Sequence, residues 1–279
     1  MEKSALHGRF SAIKHITDEE FTHFQKLIYD IAGISLSPAK KLMVASRLQK
    51  RLVHFGLQSF RDYYELFVNN QQELQVIIDQ LTTNETYFFR EPEHFKLLAD
   101  KMLASITSRP VRIWSAACSS GEEVYTLAMV MAECMRTGQW EVVGSDISHG
   151  ILEQARRGHY PISRNTGVSP HLLKKYCLKG TGEYANTFLV DKKLKAQVSF
   201  SLVNLKQSLP ALGNFDVIFI RNVLIYFDQK TKAEIIDRVL QRLKPGGYIV
   251  VSHTENLRGH AQHLEMIKPS VYRKRQLSS

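Results

Sequence analysis

Leu243-Lys244-Pro245-Gly246-Gly247 is the stretch on which the reading of the fold turns. It follows a helical pattern over residues 229–243 and precedes the apolar run Tyr248-Ile249-Val250-Val251-Ser252. Proline cannot continue a helix, and glycine takes left-handed dihedrals at little cost. Pro-Gly-Gly therefore ends the helix sharply and starts a strand. Upstream, Phe215-Asp216-Val217-Ile218-Phe219-Ile220 reads as another strand and runs into Arg221-Asn222. Strand, helix and strand in this order, with strands that are nearly all apolar, indicate an α/β domain with a parallel sheet.

Working outward, Val111-Arg112-Ile113-Trp114 is a strand that enters Ser115-Ala116-Ala117-Cys118-Ser119-Ser120-Gly121-Glu122-Glu123, and residues 124–132 read as a mostly buried helix. Strand, small-residue loop and helix let the backbone approach a ligand closely. One glycine in the loop falls short of the dinucleotide fingerprint, which suits a ligand with no pyrophosphate to cradle. The next strand, residues 141–146, ends on Asp146, where a carboxylate can accept hydrogen bonds from both hydroxyls of a ribose. Capping of the following helix by Asp146 or Ser148 is the alternative; together with the preceding loop, ribose binding is favoured. A strand over 198–203 leads to Asn204-Leu205, a place beside an adenine in such folds or a plain Asn turn. Arg221-Asn222, at the carboxyl end of a central strand, stands where open α/β sheets bind ligands.

Residues 15 to about 90 carry helical periodicity instead. Thr17-Asp18-Glu19-Glu20 is a capping box, Phe21, Phe24, Leu27, Ile28 and Ile31 share one face, and Gly33 ends that helix. A second helix starts after Ser37-Pro38, and further helices are expected over 60–68 and 73–81, with Asn69-Asn70 as the turn between them. From Ile31 to Arg61 there is no Asp or Glu. At ~100° per residue Lys40, Arg47 and Arg51 form a basic stripe, with Leu42, Ala45, Leu48 and Leu52 roughly opposite. A solvated charged face is the plain reading; the unbroken run of one sign points to an anionic partner.

Net charge is +10, from 37 Lys and Arg against 27 Asp and Glu, so anionic partners are expected, whether nucleic acid or an acidic protein surface. Three widely spaced cysteines form no metal-ligand pair and no disulfide framework, which fits a cytoplasmic protein. No metal is expected, no secretory leader is visible at the start, and no apolar run approaches the ~18 residues of a membrane span.

Leu-Lys-Pro-Gly-Gly in this position resembles the S-adenosylmethionine-dependent methyltransferase fold. Read with Thr82-Thr83-Asn84-Glu85-Thr86-Tyr87-Phe88-Phe89-Arg90, the 114–123 loop, Ser145-Asp146-Ile147 and the 219–227 segment, it resembles the CheR-type chemotaxis receptor methyltransferases over nearly the whole chain. The resemblance implies a Rossmann-like class I methyltransferase domain (109–279) with a small β insertion (about 160–196), a small all-α N-terminal domain (1–81), and a linker with a connecting helix between them (82–108). It implies transfer of a methyl group from S-adenosylmethionine to glutamate carboxylates of methyl-accepting receptors, leaving S-adenosylhomocysteine. By motif position Asn84, Thr86, Arg90, Glu123, Asp146, Asn204, Leu205, Arg221 and Asn222 would line the cofactor site. Either Glu122 or Glu123 faces the ligand, and the alignment favours Glu123. Arg90 and Tyr226 would stand closest to the reacting methyl, Arg90 orienting the acceptor carboxylate or the cofactor and the Tyr226 hydroxyl lying near the sulfonium. Lys40, Arg47 and Arg51 would guide the acidic receptor helices. The insertion, with its Gly180-Thr181-Gly182 turn, is either a dock for a receptor C-terminal peptide or a structural hairpin.

A glutamate acceptor, with a reference pKa of ~4.3, is ionised at neutral pH and needs no general base. No histidine stands beside a nucleophile, and His253, His260 and His263 read as structural. A nucleic-acid methyltransferase is the enzymatic rival, though the amine-methylating Asn/Asp-Pro-Pro-Tyr/Phe motif is missing. A non-catalytic cofactor-sensing module is the other. A monomer is expected.

Overall fold

The computed structural model describes residues 15–68, 70–165 and 167–276. Asn69 and the first residues, on which the turn and leader expectations rested, lie outside them. The chain divides into two compact units, Met1–Thr82 and Thr83–Ser279.

Among the described residues the first unit has four helices: α1 (Asp18–Ala32), α2 (Lys41–Phe55), α3 (Phe60–Phe67) and α4 (Gln71–Leu81), with a 3-10 turn, Pro38–Lys40, ahead of α2. The capping box forms as read: the Glu20 N–H donates to Thr17 Oγ1 at 3.2 Å, and the Thr17 N–H donates to Glu20 Oε2 at 2.8 Å. Gly33 closes α1 at φ 74°. Phe24, Ile28, Leu48, Leu52, Tyr63, Phe67 and Ile77 are fully buried and form the core.

The expected face of α2 needs correction. Val44, Ala45, Leu48 and Leu52 are buried, whereas Leu42 is 72% exposed. The buried arc is centred nearer Val44 and Leu48, which leaves Leu42 outside it and brings Arg47 and Arg51 to its border. Neither arginine stands on a free ridge. Arg47 Nη1 donates to the carbonyls of Gln80 (3.0 Å) and Thr82 (2.8 Å), groups that the end of α4 leaves without helical partners. Arg51 grips buried Glu73 with two bonds, at 2.8 and 2.7 Å, and Tyr63 donates to the same carboxylate at 2.5 Å. Burial pushes the Glu73 carboxyl up, but Arg51 and Tyr63 outweigh it and hold the group below its ordinary range. Lys40 sits exposed in the 3-10 turn.

The second unit begins with an irregular segment over 83–91, which turns at Phe89 and Glu91, and α5 (Pro92–Leu97), which runs through a π turn (Leu98–Met102) into α6 (Leu103–Ser105). There follow β1 (Val111–Ala116), α7 (Glu122–Cys134), β2 (Trp140–Asp146), α8 (His149–Arg157), β3 (His159–Pro161), α9 (Pro170–Tyr176), β4 (Cys177–Lys179), β5 (Thr187–Val190), α10 (Lys192–Lys195), β6 (Val198–Leu202), β7 (Phe215–Ile220), α11 (Gln229–Gln241), β8 (Leu243–Val250), β9 (Leu264–Lys268) and β10 (Val271–Lys274). Seven strands form one sheet in the order β6-β2-β1-β7-β8-β10-β9. The first five run parallel, while β10 pairs antiparallel with β8 and β9 antiparallel with β10. That final hairpin had no counterpart in the sequence reading.

The opening motif behaves differently from its reading. Leu243 already pairs with Phe215, and the register then shifts so that Tyr248 pairs with Val217. Lys244-Pro245-Gly246-Gly247 is thus a bulge inside β8, and α11 ends at Gln241. Gly246 has φ 73°, and a Cβ on Gly247 would lie 2.8 Å from the Asp216 carbonyl oxygen, so the strand can pass its neighbour here only with glycine. Next to the main sheet, β3-β5-β4 form a separate three-stranded antiparallel sheet within the expected insertion.

Candidate active site

Strand order reverses direction between β1 and β7, and open parallel sheets bind ligands outside the carboxyl ends of the strands at such a switch point. Several chain segments meet there.

The first is the β1–α7 loop. Ala117, Ser119 and Gly121 all take left-handed dihedrals, at φ 64°, 50° and 93°. Such conformations cost an L-residue roughly 1–2 kcal/mol and cluster at functional sites. The Ser119 N–H donates to Asp146 Oδ2 at 2.9 Å, and the Ser148 N–H to Asp146 Oδ1 at 3.0 Å, so Asp146 is held by the loop and by its own turn. Helix capping falls to Ser148, whose hydroxyl accepts from the Ile151 N–H.

The two glutamates opening α7 separate cleanly. Glu122 is fully buried and pairs with Arg164 at 2.9 Å and the Ser120 hydroxyl at 2.6 Å. Glu123 keeps 14% side-chain exposure and accepts from the Ser115 hydroxyl (2.7 Å) and Arg221 Nη1 (3.0 Å). Burial pushes both carboxyls up, against the pull of their cationic partners.

Arg221, at the end of β7, is the junction. Its side chain is 1% exposed. Besides Glu123 it binds the Arg90 carbonyl through Nη2, lies 3.5 Å from Glu91 Oε2, and stacks on Phe95 at 5.3 Å. Its Nε is buried with no hydrogen-bond partner among the described residues. Asn222 takes a left-handed backbone (φ 57°) and donates from Nδ2 to Glu91 Oε1 at 3.3 Å.

The 83–91 segment lies on this framework through its backbone. The Ser119 hydroxyl donates to the Asn84 carbonyl (3.2 Å), Arg164 to the Thr86 carbonyl (3.1 Å), and the Phe89 N–H to Thr126 Oγ1 (3.1 Å). Arg90 folds back to donate to the Glu85 carbonyl at 2.8 Å and lies over the Tyr87 ring. Beyond β6, the Val203 N–H donates to the Asp146 carbonyl, Asn204 Oδ1 accepts the Lys206 N–H, and Leu205 is 7% exposed. Tyr226 is half-buried in a 3-10 turn, Leu224–Tyr226. Asn84, Glu123, Asp146, Arg221, Asn222 and Arg90 therefore share one hydrogen-bonded framework, with Asn204 and Leu205 joined to it through Val203. Lys40, Arg47 and Arg51 belong to the other unit.

The sequence reading missed Glu91 and Glu255. Glu91 is the next residue after Arg90, and its carboxylate meets Arg221, Asn222, His94 and His253. Burial pushes it up, but these partners prevail and lower it. Glu255 accepts four bonds: from the N–H groups of Asn222 (3.0 Å), Leu224 (2.8 Å) and Ser252 (2.9 Å), and from the Ser252 hydroxyl (2.7 Å). Ser252-His253-Thr254-Glu255 has the spacing of a capping box, which is the signal that would have found it.

These residues fit the cofactor that the motifs imply. A strained loop of small residues brings backbone close to the strand ends, and a fixed carboxylate stands at the end of β2. Glu91 and Glu123 supply negative charge for a cationic ligand, and Arg221 Nε is a buried donor still to be satisfied.

Comparison with known proteins agrees. Residues 84–273 match the CheR methyltransferase, SAM binding domain, and residues 19–82 the CheR methyltransferase, all-alpha domain. The chain is similar to a chemotaxis protein methyltransferase of Escherichia coli (strain K12), 42% identical over 255 residues, 90% of this chain and 87% of that one. It is similar to one of Borreliella burgdorferi at 37% over 281 residues, covering 96% and 98%. Among solved structures, the N-methyltransferase NodS from Bradyrhizobium japonicum aligns at TM-score 0.39 and 15% identity, over 67% of this chain and 97% of that chain, too distant to bear on the reading. The chain belongs to the CheR methyltransferase family, the S-adenosylmethionine-dependent enzymes that methylate receptor glutamates in chemotaxis.

Proposed function

We propose that this framework holds S-adenosylmethionine against a receptor glutamate carboxylate, with each residue in the following role. Asp146 receives the ribose hydroxyls, its direction fixed by the Ser119 and Ser148 N–H groups. Asn204 and Leu205 flank the adenine. Asn84 and Thr86 line the cofactor from the 83–91 segment, and Glu123, Arg221 and Asn222 from the ends of α7 and β7. The observation that carries the assignment is Arg221, which ties Glu123 and the Arg90 backbone to the end of β7.

S-adenosylmethionine, when bound, supplies an electrophilic methyl on a cationic sulfur. The acceptor is anionic at neutral pH, so the chain has no proton to remove. Its work is alignment and exclusion of water, which strengthens attraction between opposite charges. Arg90 orients the acceptor carboxylate without a firm grip, since tight binding would blunt its nucleophilicity, and the Tyr226 hydroxyl lies at the sulfonium. Glutamate methyl esters and S-adenosylhomocysteine are the products. Incubation with methyl-labelled donor and receptor, followed by mild alkali, tests this. Esters release volatile methanol; alkali-stable label would point to a methylated base or amine, and no label to an inert module.

The partners are cytoplasmic helices of methyl-accepting receptors. Lys40 and the neighbouring arginines attract their glutamates, with Arg47 and Arg51 doing so only at their exposed margins. Lys40→Glu should slow receptor methylation and leave cofactor binding unchanged; equal loss of both would refute the role. The three-stranded sheet suits a receptor C-terminal peptide: β4 is an edge strand, and Leu178 and Tyr184 beside it are 57% and 56% exposed. Gly182 has φ 58°, and a Cβ on Gly180 would meet the Tyr184 carbonyl, so the turn at this edge is built for glycine. We further assign the protein to the cytoplasm, as a monomer without nucleic-acid partners. Among the described residues no helix is long and apolar enough to cross a membrane.

A further inference from the structure

His94, on α5, is 2% exposed. Its Nε2 lies 2.7 Å from the Ser270 hydroxyl oxygen, which is also 2.5 Å from the Pro269 carbonyl oxygen. With that hydroxyl turned to the Pro269 carbonyl, Ser270 accepts from His94 Nε2–H, the tautomer that leaves Nδ1 a lone pair. Nδ1 is buried with no hydrogen-bond partner among the described residues, yet Glu91 Oε2 stands 3.5 Å away. Two acceptors thus face each other in a buried place. A third joins them: His253 Nε2 is 3.8 Å from the same Glu91 oxygen, and the two imidazole rings lie 4.7 Å apart. The three ligand atoms are all within 4.8 Å of one another.

A cation between the three acceptors would resolve this arrangement. A proton on Nδ1 is opposed by burial and by the Arg221 guanidinium. Two imidazoles and one carboxylate are a common protein set for zinc, leaving a fourth position for water. A metal-bound histidine usually donates its other ring N–H to an oxygen, as His94 does to Ser270. Glu91, with Glu123 beyond it, supplies negative charge for a cation against the nearby Arg221 and Arg90.

We propose that Glu91, His94 and His253 form a binding site for a borderline divalent transition metal, with Zn2+ as the reference ion. The ligands are His94 Nδ1, His253 Nε2 and Glu91 Oε2. Glu91 also meets Arg221 and Asn222, so a metal that draws its carboxylate away disturbs two residues assigned to the cofactor, and Zn2+ should weaken cofactor binding. The site itself stands apart from that assignment, because metal binding is measured without cofactor.

The test is titration of the full chain with Zn2+ against a chromophoric chelator, and with Co2+ followed by visible absorption. One equivalent should bind, with a Co2+ spectrum free of thiolate charge transfer, since the three cysteines are not ligands. His253→Ala should weaken the site at least about tenfold, the lower end of what loss of even an outer partner costs. His253 is exposed, so this variant keeps the fold, and Glu91→Gln provides an independent second variant. Unchanged Zn2+ affinity in both variants, a thiolate spectrum, or no stoichiometric binding by the native chain would overturn the site. Metal binding that is intact but leaves cofactor affinity unmoved would overturn only the link to Arg221 and Asn222.

Discussion

Replacing Arg51 with alanine separates a structural role from a receptor-guiding one. Arg51 is 22% exposed and Glu73 5% exposed at their side chains, with contacts of 2.7 and 2.8 Å. At an effective dielectric of 20 the gross attraction at that separation is ~6 kcal/mol. Much of it is offset by desolvation, and removing one partner of a buried pair costs about 3–5 kcal/mol. Because Arg51 retains some exposure, the lower end applies, and Arg51→Ala should destabilise the helical unit by ~3 kcal/mol. Arg51→Met with Glu73→Gln, which removes both charges and keeps an acceptor for Tyr63, should regain at least about half of this.

The loss should also depend on pH. In the native protein Glu73 lies below its ordinary value, so its contribution is present above the unfolded pKa of ~4.3 and is lost as pH falls through the lower folded value. Without Arg51, burial raises the carboxyl above its unfolded value. The cost is then full at neutral pH and shrinks as acid neutralises the stranded charge, so it should be larger at about pH 7.5 than at about pH 5. Urea unfolding followed by far-UV circular dichroism reads the helices. Both tryptophans, Trp114 and Trp140, lie in the other unit, so their fluorescence serves as an internal control. An unmoved dichroism transition together with slowed receptor methylation would refute the reasoning and make Arg51 a receptor contact.

Three further outcomes are expected. Arg90→Ala should lower turnover about 100-fold, the scale of a lost positioning contact, with a much smaller change in cofactor affinity; full turnover at unchanged affinity in steady-state assays would remove it from the reaction. Asp146→Asn should weaken cofactor binding about 10- to 100-fold by calorimetry, from the ~1.5–3 kcal/mol of a charged hydrogen bond; native affinity would show that Asp146 serves the loop alone. Gly121→Ala places a Cβ 2.9 Å from that of Ala155 at φ 93°, so the melting temperature of the α/β unit should fall by several degrees, which scanning calorimetry will show or deny.

The parallel strands were legible because buried strands are continuous apolar runs, and β7 matches its reading residue for residue. The last hairpin was not: in β9 only Leu264 is buried, and Met266 and Ile267 are exposed, so the stretch shows no apolar face. The basic stripe misled for a related reason. Periodicity places residues around a helix, but only the position of α4 reveals that Arg47 reaches carbonyls and Arg51 a buried acid. At the site, Arg90, Glu123 and Asn222, read from contiguous motifs, come together around Arg221 and Glu91, and their cofactor roles are proposals. Glu255 carried a local signal in its spacing from Ser252, but its bonds to Asn222 and Leu224 were hidden, because those residues lie more than thirty positions away in sequence and meet it through the pairing of β7 with β8.

One carboxylate on three amides fixes how the mouth of the sheet moves. Glu255 rivets the exit of β7 to the exit of β8, so neither loop can swing out while the other stays closed. In hydrogen exchange the amides of Asn222, Leu224 and Ser252 should open in one shared event, although they come from two loops. Freedom to admit or release a bulky helical partner must then come from elsewhere at the site, and among the described residues the hydrogen bonds of Asn84 and Thr86 run through their backbone carbonyls.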